Sequence, residues 1–292
     1  MNEILERQQL SENVFKLRMR ARAISEERHP GQFVILQLDD NFGERIPLTI
    51  ADADPEEGSI TLIFQAVGKT TKVLSAYEPG DEIANVLGPL GKPTHIENFG
   101  SVVCVGGGIG VAPLHPIAQA LKEAGNHVTI IIGARTKELV ILEEEMKAIA
   151  DELIVVTDDG TYGKKALVTE PLKEKCEQDP RPDLAVAIGP PIMMKFAAET
   201  TRPYEVPTVV SLNTIMVDGT GMCGGCRVTV GGETKFVCVD GPEFDGHQVD
   251  FDNMLRRLNA YKDQETEASK ACRLDAIADA AQKKTAEKGV AQ

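Results

Sequence analysis

Apolar and polar residues alternate strictly from Phe15 to Arg20, with Phe15, Leu17 and Met19 alternating with Lys16, Arg18 and Arg20. A period of two puts the apolar side chains on one face, as in a half-buried antiparallel strand. Gly31 to Leu38, Ser59 to Val67 and Asp81 to Val86 predict further strands, set apart by the turn signals Ala53-Asp54-Pro55 and Glu78-Pro79-Gly80. Short strands punctuated in this way predict an antiparallel barrel or sandwich over residues 1–97.

The pattern changes near Gly100. Ser101 to Val105 is a continuous apolar run that ends in Gly106, Gly107, Gly108, Ile109 and Gly110. After Pro113, residues Leu114, Ile117, Ala118 and Leu121 recur at helical spacing, and Leu139, Leu142, Met146 and Ile149 predict a second helical face. Val128 to Ile132, Leu153 to Val156 and Leu184 to Ile188 are further buried runs. Strands alternating with helices predict a parallel α/β sheet over residues 98–208. Residues 209–250 are rich in Gly and Cys and too short for a core of their own. Residues 251–292 are polar and helix-prone, with Leu255, Leu258 and Tyr261 as docking contacts and Lys283 to Gln292 as a frayed end.

Charge and composition narrow the function. The 292-residue chain carries a net charge of −14 while residues 251–292 are almost neutral, so the acidity lies in the body. An acidic body repels phosphate backbones, and 4% aromatics with no Trp supply no stacking platform, so no nucleic-acid partner is expected. No stretch approaches the roughly 20 apolar residues of a membrane span. The opening MNEILERQQL lacks the basic and apolar regions of a signal peptide, which predicts a cytoplasmic protein with no membrane association.

The chemistry concentrates in glycines and cysteines. Cys223, Cys226 and Cys238 cluster, whereas Cys104, Cys176 and Cys272 are scattered and read as structural. With Asp218 the set reproduces the C-x₄-C-x₂-C spacing of plant-type [2Fe–2S] ferredoxins, except that Asp stands at the first Cys position. The interleaved glycines let the backbone curl round a cluster and aim N–H groups at its sulfurs. Zinc held by three Cys and Asp, a redox C-x-x-C and plain buried thiols compete with this reading. Zinc ribbons use two C-x₂-C knuckles and this chain has one; thioredoxin-like motifs open a helix, and this one lies in a Gly-rich loop.

The Gly106–Gly110 loop follows a strand and opens a helix, where backbone and helix N-terminus favour a pyrophosphate. Its match to G-x-G-x-x-G is imperfect, with Val111 at the third Gly, and a tight turn with no ligand is the alternative. No acidic residue ends the next strand; Ala134 and Arg135 stand there. In the β region, Arg45 to Thr49 and Gln65 to Thr71 read as strand ends with cations, hydroxyls and a Gly, suited to a phosphate or to an ordinary barrel rim. No side chain stands out as a catalytic acid, base or nucleophile. The five histidines are dispersed, and there is no H-E-x-x-H, G-x-S-x-G or P-loop. Glu143 to Glu145 predict a solvated helix face, and Asp158, Asp159, Gly160 and Tyr162 an ordinary turn, with the lining of a cleft at a strand end as the alternative.

Together these parts resemble the ferredoxin–NADP reductase superfamily, and within it the electron-transfer subunits of dihydroorotate dehydrogenase. Pro30-Gly31-Gln32-Phe33, the Gly106–Pro113 loop and Gly189 to Met194 carry that likeness over residues 1 to about 250. Residues 45–52 (RIPLTIAD), 67–71 (VGKTT), 87–93 (LGPLGKP) and 216–228 (MVDGTGMCGGCRV) are more specific. They resemble the small subunits of NADH-dependent reduced ferredoxin:NADP oxidoreductases, also labelled sulfide dehydrogenase small subunits, in which Asp replaces the first cluster Cys.

The resemblance implies a flavin-binding β barrel, a parallel-sheet nicotinamide domain and a C-terminal [2Fe–2S] lobe at 209–250. It implies FAD at Arg45, Pro47, Leu48, Thr49, Gln65, Val67, Gly68, Lys69, Thr70 and Thr71. The family motif R-x-Y-[ST] fits poorly here, because Arg45 lies one residue early and Leu48 replaces the aromatic, so Pro47, Leu48 and Thr49 are the stronger contacts. NAD(H) is implied at Gly107, Gly108, Gly110, Pro113, Ala134, Arg135, Asp159, Gly189, Pro190 and Met193. The cluster ligands are implied to be Asp218, Cys223, Cys226 and Cys238. The implied partner is a larger flavoprotein with [4Fe–4S] clusters that binds ferredoxin and NADP, the pair performing electron bifurcation. The alternatives are an NAD-dependent dihydroorotate dehydrogenase subunit and, outside enzymes, a zinc-stabilised regulatory or assembly subunit.

Overall fold

The computed structural model describes residues 2–39 and 43–267; Cys272 and Lys283 to Gln292 lie outside the described residues. The first part holds β1 (Ile4–Ser11), β2 (Val14–Arg20), α1 (Arg22–Glu27), β3 (Phe33–Gln37), β4 (Arg45–Asp54), β5 (Ser59–Gln65), α2 (Lys69–Leu74) and β6 (Asn85–Leu90). The strands form one antiparallel sheet in the order β1-β2-β5-β4-β3-β6. Its ends meet where Ile4 N–H donates to Asp81 O (2.8 Å) and Ile83 N–H to Asn2 O (3.0 Å), which curls the sheet into a barrel. The alternation in β2 sends Leu17 and Met19 inward, both fully buried against Ile60, Leu62 and Leu36.

The second part holds β7 (Ser101–Gly107), α3 (Val111–Glu123), β8 (His127–Ala134), α4 (Glu143–Ile149), β9 (Glu152–Thr157), β10 (Lys164–Lys165), α5 (Thr169–Cys176), β11 (Leu184–Ile188), α6 (Pro191–Thr201) and β12 (Thr208–Ser211). A third part adds the hairpin β13 (Arg227–Val230) and β14 (Glu233–Phe236), then α7 (Val237–Asp240), β15 (Glu243–Asp245) and α8 (Phe251–Leu258). The large sheet runs β10-β9-β8-β7-β11-β12-β15, parallel except for β15. Helices cover both faces of β7, so Val102 and Cys104 enter one core and Val103 and Val105 another, the reason its sequence is apolar throughout. Among the described residues no helix is long and apolar enough to cross a membrane.

Several elements differ from the sequence pattern. The pattern predicts no strand at β1 and only a strand end at Arg45 to Thr49 of β4, and β6 begins at Asn85, late in the Asp81–Val86 run. Leu139 and Leu142 fall outside α4, because Leu142 takes a left-handed conformation (φ 55°) just before the helix starts. In α8 the buried contacts are Phe251 and Met254, with Leu258 partly buried, while Tyr261 is exposed. The Cys-rich segment shares a core with the sheet: Cys226, Val228 and Cys238 pack with Val103, Ala187, Met194 and the barrel residues Phe33 and Ile35.

Candidate functional site

β7 and β11 are neighbours in the parallel sheet, and the chain leaves them toward opposite edges. Their carboxyl ends frame a switch-point crevice, where open α/β sheets bind nucleotides. The two lining loops touch. A Cβ at Gly189 would lie 2.6 Å from Met193 Cε and 3.1 Å from Gly107 O, and one at Gly107 would lie 3.2 Å from Met193 Sδ and 3.4 Å from Pro190 Cδ. At Gly110 a Cβ would be 2.3 Å from Ile188 O, so α3 seats directly on the β11 backbone. Gly108 differs: its φ is +55°, and a Cβ would meet nothing within 4 Å. Bare backbone therefore faces open space beside the α3 N-terminus, a place suited to an anion. Pro113 lies in the first turn of α3, where its missing N–H costs no bond.

At the next strand ends, Asp158 and Asp159 N–H groups donate to Ala134 O (3.1 Å) and Arg135 O (3.2 Å). The Asp159 carboxylate accepts from Thr161 N (2.9 Å) and Thr161 Oγ1 (2.7 Å), bonds that hold its carboxyl below the usual range. Asp159 thus closes a turn, while Ala134 is buried and Arg135 exposed. Glu143 is not part of a purely solvated face, since it accepts from the Tyr162 hydroxyl at 2.9 Å.

Arg45 to Thr49 form the first half of β4, with Arg45 at the start of the strand. Ile50 to Asp54 pair with β5, but Arg45 to Thr49 pair with β3 alone, which leaves one edge of this stretch without a strand neighbour. Pro47, with no N–H to offer a ladder, suits such an edge. Gln65 ends β5, and Gly68 precedes α2. Gly68 N–H donates to Thr71 Oγ1 (3.1 Å), and the Thr70 hydroxyl donates to Glu44. Both threonine hydroxyls are therefore engaged within the chain, while Val67, Gly68 and Lys69 are exposed.

The Asp218–Cys238 region gathers four donors into two pairs. Asp218 Oδ1 lies 3.4 Å from Cys223 Sγ, and Cys226 Sγ lies 3.2 Å from Cys238 Sγ. The first pair is near the surface, with Cys223 exposed; the second is buried, and both of its cysteines are free thiols. Burial, then the neighbouring Cys226 thiol, pushes Cys238 well up, so Cys238 needs a cation to draw off its proton. Asp218 also organises the loop, accepting from Met222 N (2.8 Å), Cys223 N (3.0 Å) and Thr220 N (3.2 Å). Desolvation opposes its ionisation but is outweighed by these bonds, and its carboxyl is held at about 2. Left-handed Gly219, Gly221 and Gly224 (φ 75°, 83° and 67°) make the winding affordable. Among the described residues no three His, Cys, Asp or Glu side chains gather round a single-ion position. Two pairs of anionic donors fit two irons and do not suit one tetrahedral zinc.

The three parts meet at one seam. A Cβ on Gly219 would lie 2.7 Å from Leu90 Cδ1 and 2.9 Å from Ile35 Cγ1, so the cluster loop rests on the barrel. Lys92 N–H donates to Gly241 O (2.6 Å), and Thr94 Oγ1 to Glu243 Oε1 (2.6 Å). Gly31 has φ +84° and sits where a Cβ would be 2.3 Å from Thr94 Oγ1, which explains the Gly of the Pro30–Phe33 motif. Burial pushes the Glu243 carboxyl up to about 7, partly offset by the Thr94 hydrogen bond.

Residues 213–250 match the iron-sulfur cluster binding domain of dihydroorotate dehydrogenase B, and residues 104–199 match the oxidoreductase NAD-binding domain. The Thermotoga maritima dihydroorotate dehydrogenase B (NAD(+)) electron transfer subunit homolog is 52% identical, over 91% of this chain and 93% of its own length. The chain belongs to the dihydroorotate dehydrogenase B electron-transfer-subunit family. A further member, from Bacillus caldolyticus, is 36% identical over 82% of this chain and 94% of its own. Among solved structures, a chain of NADH-dependent reduced ferredoxin-NADP oxidoreductase, studied for flavin-based electron bifurcation, superposes with a TM-score of 0.87. It is 50% identical over 93% of this chain and 97% of that one.

This electron-transfer subunit is therefore an oxidoreductase component with a flavin-type barrel, a nicotinamide domain and an iron–sulfur lobe. The seam residues Thr94 and Glu243 escaped sequence reasoning. They are 149 positions apart, and neither lies in a spacing motif.

Proposed function

We propose that this subunit exchanges electrons with NAD(H) through FAD and a [2Fe–2S] cluster, as part of a bifurcating oxidoreductase that links NADH, ferredoxin and NADP. The observation that carries this reading is the contact between cluster loop and barrel. Gly219 packs on Ile35, and Ile35 is the strand neighbour of Pro47. That contact supports a short route between a flavin at Pro47–Thr49 and a cluster at Asp218, Cys223, Cys226 and Cys238. When bound, FAD takes electrons from NADH as a hydride and the cluster carries them singly.

The chain's own residues hold and orient. Gly108 opens the α3 N-terminus to a pyrophosphate, while Gly110 fixes that helix as one wall of the crevice. Pro190 and Met193 form the facing wall. The open edge of Arg45 to Thr49 offers backbone groups to the flavin, and Lys69 offers charge to its phosphates. Buried Cys226 and Cys238 keep water from one side of the cluster. Cys223, beside Met222 at 87% exposure, leaves the other side open toward a partner.

In this reading the partner is a larger flavoprotein with [4Fe–4S] clusters that takes ferredoxin and NADP, and the complex is cytoplasmic. Anaerobic native purification followed by mass spectrometry tests it. The complex should contain such a subunit and reduce NADP with NADH when reduced ferredoxin is supplied. A complex that oxidises dihydroorotate with NAD would overturn the reading in favour of the orotate enzyme.

A further inference from the structure

The turn between Cys223 and Cys226 is gripped from outside by two arginines. Arg227 Nη1 donates to Gly224 O at 2.8 Å, and Arg257 Nη2 donates to Gly225 O at 3.2 Å. Arg227 opens β13, next to the turn. Arg257 comes from α8, beyond the 213–250 segment that matches the family's cluster-binding domain. Neither guanidinium has a carboxylate partner among the described residues.

A trans peptide points its C=O and N–H in opposite directions. Holding Gly224 O outward turns the Gly225 N–H inward, and that N–H donates to Cys223 Sγ at 3.4 Å. In the same way, holding Gly225 O outward turns the Cys226 N–H to the opposite side. A guanidinium on the carbonyl also polarises the amide and strengthens its N–H as a donor. Arg257 is delivered by a packed helix. Phe251 and Met254 are buried in the core that contains Cys226 and Cys238, and the Asp250 side chain caps α8 by accepting from Asn253 N at 2.9 Å.

We propose that Arg257 is a positioning residue for the cluster: from α8 it fixes the Cys223–Cys226 turn with its amides toward the sulfurs, and its charge raises the cluster's reduction potential. The inference rests on the reading of Asp218, Cys223, Cys226 and Cys238 as ligands, and it gives the C-terminal segment a role. Reduction adds one negative charge to the cluster, so a fixed, partly buried cation nearby favours the reduced form. An exposed cation on the same helix acts through solvent and is screened.

The test is a redox titration of the whole flavin-loaded chain, followed by EPR, in wild type, Arg257→Met, Arg257→Gln and Arg256→Gln. Arg257→Met keeps the aliphatic stem and its packing but loses the charge and the donor. At fixed poise the reduced-to-oxidised ratio of the cluster should fall about tenfold in both Arg257 variants, about 59 mV for a one-electron couple, with altered g-values. Arg256 is exposed on α8, and Arg256→Gln, with the same loss of charge, should leave the ratio close to wild type. Loss of iron with flavin retained in Arg257→Gln also supports the grip on the turn. A [2Fe–2S] signal of wild-type potential and g-values in Arg257→Met overturns the inference, as does an equal shift in Arg256→Gln. Absence of a [2Fe–2S] signal from wild type would instead bring down the ligand reading itself.

Discussion

Glu243 gives the seam a measurable pH dependence. Its carboxyl is raised from 4.5 to about 7 by burial, with the Thr94 hydroxyl working the other way. The folded chain therefore binds this proton more tightly than the unfolded chain. The stability it contributes is complete below about pH 4.5, falls as pH rises through 7, and is gone above that. At about 1.36 kcal/mol per unit of pKa, the full swing is at most about 3 kcal/mol, an upper figure because the carboxyl keeps some contact with water. Glu243→Gln retains an oxygen to accept from Thr94 and cannot ionise. The variant should match wild type near about pH 4 and be more stable by about 2 kcal/mol near about pH 8. In a chain of 292 residues that is roughly 3 °C in Tm by scanning calorimetry. A Tm difference that is the same at both pH values would refute the argument from burial.

Other substitutions probe the crevice and the cluster loop. Gly110→Ala drives a Cβ to 2.3 Å from Ile188 O and should cost about 1–3 kcal/mol in denaturant unfolding, whereas unchanged stability would mean that α3 is free to slide. Gly108→Val meets no neighbour but strains a residue at φ +55°, so it should cost only about 1–2 kcal/mol in fold stability. It should nevertheless abolish flavin reduction by NADH while dithionite still reduces the flavin; reduction by NADH at the wild-type rate would make the loop a plain turn. Asp218→Ala removes a candidate ligand together with the acceptor of three loop N–H groups, and should lose iron, whereas Asp218→Cys should retain a [2Fe–2S] centre with altered g-values. Full iron and an unchanged spectrum in Asp218→Ala would exclude Asp218 as a ligand.

Much of the architecture is written in local pattern. The alternation in β2 and the apolar run of β7 each follow from the number of covered faces. Less legible is β4, of which only the Arg45–Thr49 part reads as a strand end. It changes partner and is bulged at Ile50, and its sequence, RIPLTIADAD, mixes a Pro with acidic residues that lie exposed along the outer edge. β15 is only three residues long and joins the large sheet through β12, a pairing that no local signal announces. The cysteine spacing identified the cluster loop, but it could not separate a turn Asp from a ligand Asp. The structure adds that Asp218 accepts three backbone N–H bonds while lying beside Cys223, so the loop is wound around its carboxylate. The resemblance implies that the threonines of the second flavin segment contact the cofactor, and the structure shows what else they hold. Thr71 caps α2 and Thr70 holds Glu44, because a hydroxyl at a helix start finds a partner nearby.

The central claim is that electrons enter this chain as a hydride and leave it one at a time. Anaerobic addition of NADH to the purified protein, followed by flavin absorbance and low-temperature EPR on the same sample, tests it most directly. NADH should bleach the flavin, faster than NADPH does, and a [2Fe–2S] signal should appear as the flavin bleaches. A colourless, zinc-containing protein, or a flavin that bleaches while no iron–sulfur signal develops even with dithionite, would contradict the account.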